Sequence, residues 1–147
     1  MRLKRTLDRK TWMVILRFCI RLQSDLWGTL MLIKAGFLHD VVEDSSMTLE
    51  DLKSKGVEDE VIAALALLTH DKEKVGYFEY VENIIASGNV TAIHVKLNDL
   101  HHNLQRGKVS YEAAVASNDA AKIKELKRIN AKHEKALEMI KNAGYEQ

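Results

Sequence analysis

The sequence has no proline and only one cysteine, Cys19, in 147 residues. One cysteine excludes an internal disulfide, and the chain reads as a cytoplasmic protein held together by its core alone. Charge of one sign is also lacking: 22 Lys and Arg face 21 Asp and Glu, a formal net charge of +1. That excludes the global basic field of a general nucleic-acid binder, so any anionic ligand must be held locally. Long apolar runs are missing too. Arg17, Arg21 and Asp25 cut residues 12–33 into pieces far shorter than the roughly 20 apolar residues of a membrane crossing. The opening MRLKR and WMVILRFCI imitate the basic and apolar parts of a secretory signal. Arg17 interrupts the run and no small-residue cleavage site follows, so export is not expected. Neither a nucleic acid nor a membrane is therefore expected as a partner; oligomeric state is left open by the sequence.

What is present is helical texture. Apolar residues recur at intervals of three and four, which together with the absence of proline favours an all-α domain over strands and tight hairpins. The pattern predicts a helix over residues 31–44. A second starts at Thr48, with Asp51 completing an approximate capping box and Gly56 ending it. Further helices are expected over 58–70 and 77–87, then one capped by Asn89 and running to about Arg106, with Gly107 as its stop. After ASND (116–119), Ile123, Leu126, Ile129, Leu137 and Ile140 trace one stripe of a final helix closed by Gly144. At this length one domain is the default. It would comprise an atypical N-terminal segment (1–34), a motif-bearing core (35–106) and a C-terminal helix (117–145).

Two clusters carry chemistry. In FLHDVVEDS (37–45), His39, Glu43, Asp40 and Asp44 fall at about 0°, 40°, 100° and 140° around a helix, so all four project from one side. Phe37, Leu38, Val41 and Val42 fill much of the remaining circumference. Burying unpaired carboxylates costs several kcal/mol each, so a cation is expected. An imidazole beside an aspartate suits Mn, Fe or Zn, and two more carboxylates nearby can activate a coordinated water. The plain alternative is a helix C-terminus drifting into solvent, although acids there oppose the helix macrodipole. In VKLNDLHHN (95–103), Lys96, Asp99 and Asn103 share one helix face. Taken alone, that face is a solvated one carrying a weak Lys96 to Asp99 pair. The aromatic pair Tyr77 and Tyr80 reads as core, and His70 and His133 as surface or helix-end residues.

FLHDVVEDS followed by MTLEDLKSKG, and VKLNDLHHN about sixty residues on, resemble the HD-domain phosphohydrolases, specifically the hydrolase domain of RelA/SpoT-type alarmone enzymes. The resemblance spans most of residues 35–106. It implies an all-α HD-domain helical bundle in which His39, Asp40 and Asp99 ligate a divalent ion, typically manganese. It further implies that Glu43 and Asp44 form the acidic pair that activates water. Asn103 would lie near the substrate, a small-molecule nucleotide, with Lys96 beside it. Arg9 and Lys10 match a basic pair that contacts the guanine base. The implied reaction is hydrolysis of the 3′-pyrophosphate of guanosine tetra- or pentaphosphate. An alternative is a catalytically inactive HD-like module that binds nucleotide or protein.

The sequence departs from that family in one respect. Its metal site takes another histidine from an upstream G-x-P-Y-x-x-H-P motif, and no histidine precedes His39. Cys19 lies near the expected position, but a thiolate is a soft ligand poorly matched to manganese. A shifted reading frame over residues 12–33 would account for the absence. Taking the last base of each codon with the first two of the next, Trp12/Met13 must give Asp, Met13/Val14 Gly and Phe18/Cys19 Leu. Cys19/Ile20 then gives His or Tyr, and Ile20/Arg21 allows Pro. A string D-G-x-P-x-x-L-H-P is permitted where the motif belongs. Sequencing the encoding DNA against close relatives is expected to show a compensating pair of insertions or deletions flanking this segment. An uninterrupted alignment would remove the idea.

Overall fold

A computed structural model describes residues 27–145, and side chains from residue 31. Arg9, Lys10, Cys19 and most of the segment read as frame-shifted lie outside the described residues. Among those described there are six helices and no strand, so the fold is all-α as the periodicity implied. The helices are α1 (Trp27–Asp44), α2 (Leu49–Ser54), α3 (Asp59–Leu68), α4 (Tyr77–Ser87), α5 (Val90–Ala116) and α6 (Ala120–Asn142). They fall into two compact units divided between His70 and Asp71. Among the described residues no helix is long and apolar enough to cross a membrane.

In the first unit α1 and α2 pack on α3. The buried face of α1 is Met31, Lys34, Ala35, Leu38 and Val41, spaced by three and four with a lysine among the apolar side chains. Val61, Ala64, Leu65 and Leu68 supply the face of α3. Between them, Thr48 caps α2 reciprocally: the Asp51 N–H donates to Thr48 Oγ1 (3.1 Å) and the Thr48 N–H to Asp51 Oδ2 (2.8 Å). Those bonds hold the Asp51 carboxyl below its ordinary range. Gly56 (φ 88°) ends the element, with Gly56 N–H bonded to the Lys53 carbonyl and Val57 N–H to that of Leu52.

In the second unit α5 and α6 form a hairpin, and α4 packs on both. Asn89 caps α5 through its side-chain oxygen and the Ala92 N–H (3.0 Å); Asp119 caps α6 in the same way through Lys122 N–H (3.0 Å). Val81 and Ile84 of α4, Ile93, Leu97 and Leu100 of α5, and Ala136 and Ile140 of α6 make the core.

The expected stop at Gly107 is wrong. Helix α5 runs through it for nine more residues to Ala116 and ends at Asn118, which takes a left-handed conformation (φ 54°). There the Asn118 N–H bonds the Val115 carbonyl (3.1 Å) and the Asp119 N–H that of Ala114 (3.0 Å), the two bonds that close a helix end. Gly107 serves packing instead: a Cβ at this position would run into the Asn130 side-chain amide of α6.

Gly107→Ala must displace the Asn130 side-chain amide, a cost set against the roughly 1 kcal/mol that alanine gains over glycine inside a helix. Urea denaturation is expected to show the substitution more favourable by about 1–2 kcal/mol in an Asn130→Ala background than in the wild type; equal effects in the two backgrounds would refute the close-approach role.

Candidate functional site

The first cluster occupies the last two turns of α1. The His39 side chain is 7 % exposed, whereas Asp40 and Glu43 are 68 % and 57 % exposed, so a buried imidazole presents its edge to two solvated carboxylates. His39 Nδ1 lies 3.6 Å from Asp40 Oδ1, and Nε2 lies 3.2 Å from Glu43 Oε1. A neutral imidazole has one N–H and one lone pair; the 3.2 Å contact to Glu43 is within hydrogen-bond reach and the 3.6 Å one to Asp40 is beyond it. A ligand atom from each of the three residues lies within 4.8 Å of the others. Donors around one first-row ion at about 2.1 Å sit within roughly 4.2 Å of one another, a distance the exposed carboxylates have room to reach. The donor set, one imidazole nitrogen and one oxygen each from Asp40 and Glu43, therefore fits a divalent cation. Asp44, the last helical residue, is exposed and stands outside this group. No basic side chain occupies the last turn of α1, leaving its C-terminal dipole end facing carboxylates.

The second cluster lies wholly in the second unit. Along one face of α5, Lys96 Nζ donates to Asp99 Oδ2 (2.9 Å), Asn103 Nδ2 to Asp99 Oδ1 (3.0 Å) and Arg106 Nη2 to Asn103 Oδ1 (2.8 Å). Lys96, Asp99 and Asn103 thus form one hydrogen-bonded row, as their spacing predicts. It is not the solvated pair of the plain reading. Lys96 is buried, with its ammonium 5.6 Å and 5.3 Å from the rings of Tyr77 and Tyr80.

Two residues of α6 complete this cluster, and sequence reasoning missed both. Lys132 Nζ sits 4.5 Å above the Tyr77 ring. Desolvation, then Arg128, Lys72 and Lys96, hold its ammonium below the ordinary lysine value. His133, expected at the surface or a helix end, is half-buried in mid-helix with its ring edge-on to Tyr77 (6.3 Å). Its Nδ1 is buried without a hydrogen-bond partner. Burial, then Lys132 and Lys96, lower its pKa against an opposing pull from Asp99. The sequence signal was slight: a Lys–His pair beside the apolar stripe of α6, whose partner Tyr77 lies more than fifty positions away. Tyr80 is core, as expected, but Tyr77 is half-buried and serves as the shared floor of the cations.

The chain matches no protein-family model, and no solved structure matches it.

The Tyr77 phenol gives the second cluster a measurable signature. Burial first, and the Asp99 carboxylate second, push it up to about 12. Its folded value lies above the unfolded value of about 10, so the folded state keeps a proton that the unfolded state loses. The contribution to stability is whole below pH 10 and is lost as pH rises toward 12. An alkaline titration followed by tyrosinate absorbance should show a late component that Tyr77→Phe diminishes. Asp99→Asn should lower that pKa in part; no change would separate Asp99 from the phenol.

Proposed function

We propose that this chain is a metal-dependent phosphohydrolase of the HD type, acting on the 3′-pyrophosphate of guanosine tetra- or pentaphosphate to give GDP or GTP and pyrophosphate. The observation that carries the reading is the convergence of His39, Asp40 and Glu43 donor atoms within 4.8 Å on one helix end. The resemblance of HDVVED and KLNDLHHN to the family's motifs supplies the reaction class. His39 and Asp40 would hold the ion, and the resemblance assigns Asp99 as a further ligand.

A divalent ion so held lowers the pKa of bound water and polarises a phosphoryl oxygen. The chain's own residues supply the rest. Glu43, exposed beside the imidazole, and Asp44, exposed at the helix end, are carboxylates able to accept a proton from an attacking water. The resemblance places Asn103 near the nucleotide; its amide here bridges Asp99 and Arg106, and Lys96 is a buried cation whose charge is committed to Asp99. Cys19, Arg9 and Lys10 belong to this reading only through the resemblance.

The decisive assay is Mn2+-supplemented hydrolysis across guanosine tetraphosphate, deoxynucleoside triphosphates and cyclic nucleotides, run beside a Cys19→His variant that restores the missing donor. Pyrophosphate release from guanosine tetraphosphate is expected, stronger in Cys19→His. Asp40→Ala should abolish it, and Glu43→Gln should lower kcat by roughly 10²- to 10⁴-fold. Nucleotide binding without turnover in both forms would assign the inactive binding module instead. If neither form takes up a stoichiometric ion or nucleotide, the reading fails.

A further inference from the structure

Lys34 stands in the middle of the buried face of α1 and is 1 % exposed, as deeply covered as Leu38 four residues on. Its ammonium is ion-paired and hydrogen-bonded to Glu58 Oε1. Glu58 occupies the N-cap position of α3, yet its carboxylate makes no side-chain bond to the helix it precedes. It reaches across to α1, and its second oxygen, Oε2, is buried without a hydrogen-bond partner. One link between a buried ammonium and a partly buried carboxylate, with an orphaned acceptor left over, is a poor way to stabilise a core: apolar side chains of similar volume usually do as well or better. What such a pair does supply is a fixed rotational setting. Apolar contacts along Met31, Ala35, Leu38 and Val41 tolerate a small roll of the helix; a lysine ammonium that must meet one carboxylate does not.

The roll of α1 governs the candidate metal ligands. Measured from Lys34 at about 100° per residue, Glu43 points roughly opposite at 180°, while His39 and Asp40 flank it at about 140° and 240°. With Lys34 turned to the core, His39 is buried at one edge and Asp40 and Glu43 emerge in solvent, which is the arrangement observed. A roll of one residue step would expose the imidazole or draw a carboxylate under. We propose that Lys34 and Glu58 are positioning residues that set the roll of α1 and so keep the His39 imidazole under the core's edge while the Asp40 and Glu43 carboxylates face solvent. The inference rests on the metal reading of that group and gives it a device for orienting the ligands from the far side of their helix.

The experiment replaces the pair by apolar side chains, Lys34→Met with Glu58→Leu, in the full chain; Glu58→Leu removes no capping bond. Urea denaturation is expected to show stability unchanged or raised, while Mn2+ affinity by calorimetry falls by about 10- to 100-fold, the range typical of residues that orient metal ligands. The reversed pair, Lys34→Glu with Glu58→Lys, should restore affinity to within a few-fold. Wild-type affinity in the apolar double variant overturns the inference, as does a collapse of its stability, which would make the pair structural. If the unaltered chain takes up no Mn2+, the metal reading fails by itself. The roll is then decided by the His39 ring nitrogen and carbon chemical shifts, which move in the apolar variant if the pair sets it and stay if it does not.

Discussion

An ammonium group taken out of water must have a carboxylate within reach, and each unit of this protein is arranged around one such demand. In the first, Lys34 interrupts an otherwise apolar stripe and is answered by Glu58 from the start of another helix. In the second, Lys96 is covered by Tyr77 and Tyr80 and answered by Asp99 from its own helix, one turn on. The two solutions differ in consequence. A cross-helix pair ties two elements together and fixes how one is turned; a pair within one helix leaves the helix free and instead orients the carboxylate for its next neighbour, Asn103.

The electrostatics of the first helix end follow from the same logic with the signs reversed. Its last turn has carboxylates and no basic side chain, where the backbone dipole already concentrates negative charge. Among the described residues the imidazole of His39 stands beside these carboxylates, 3.2 Å from Glu43 and 3.6 Å from Asp40. A cation bound there would relieve the same charge, and that is the chemistry on which the hydrolase reading depends.

How much of this was legible in the sequence depends on how far apart the interacting residues lie. Thr48, Asn89 and Gly56 announce their helix ends through partners two to five positions away, and the structure places caps and turn at those residues. The shared faces of His39, Asp40 and Glu43 and of Lys96, Asp99 and Asn103 followed from helical geometry alone. Gly107 misled because a glycine in a helical pattern has two uses, ending a helix or admitting a neighbour. Only the position of Asn130 on another helix separates them. Lys34 and Lys132 escaped notice and His133 was placed at the surface for the same reason, since their surroundings are contributed by distant stretches of chain. Lys34 did leave one trace, a cation at a position where the three-and-four spacing calls for an apolar residue.

The bare backbone at Gly107 has a mechanical meaning. The hairpin of α5 and α6 is joined at residues 117–119, and Gly107 lies ten residues from that junction along α5, about 15 Å at helical rise. Asp99 is eight residues farther out. Anything that levered the two helices apart at Gly107 would therefore be magnified nearly twofold by the time it reached Asp99, where Lys96 and Tyr77 must stay in register with Lys132 and His133. The hairpin thus has its point of close approach between its hinge-like junction and its charged cluster, where a small separation has the longest reach.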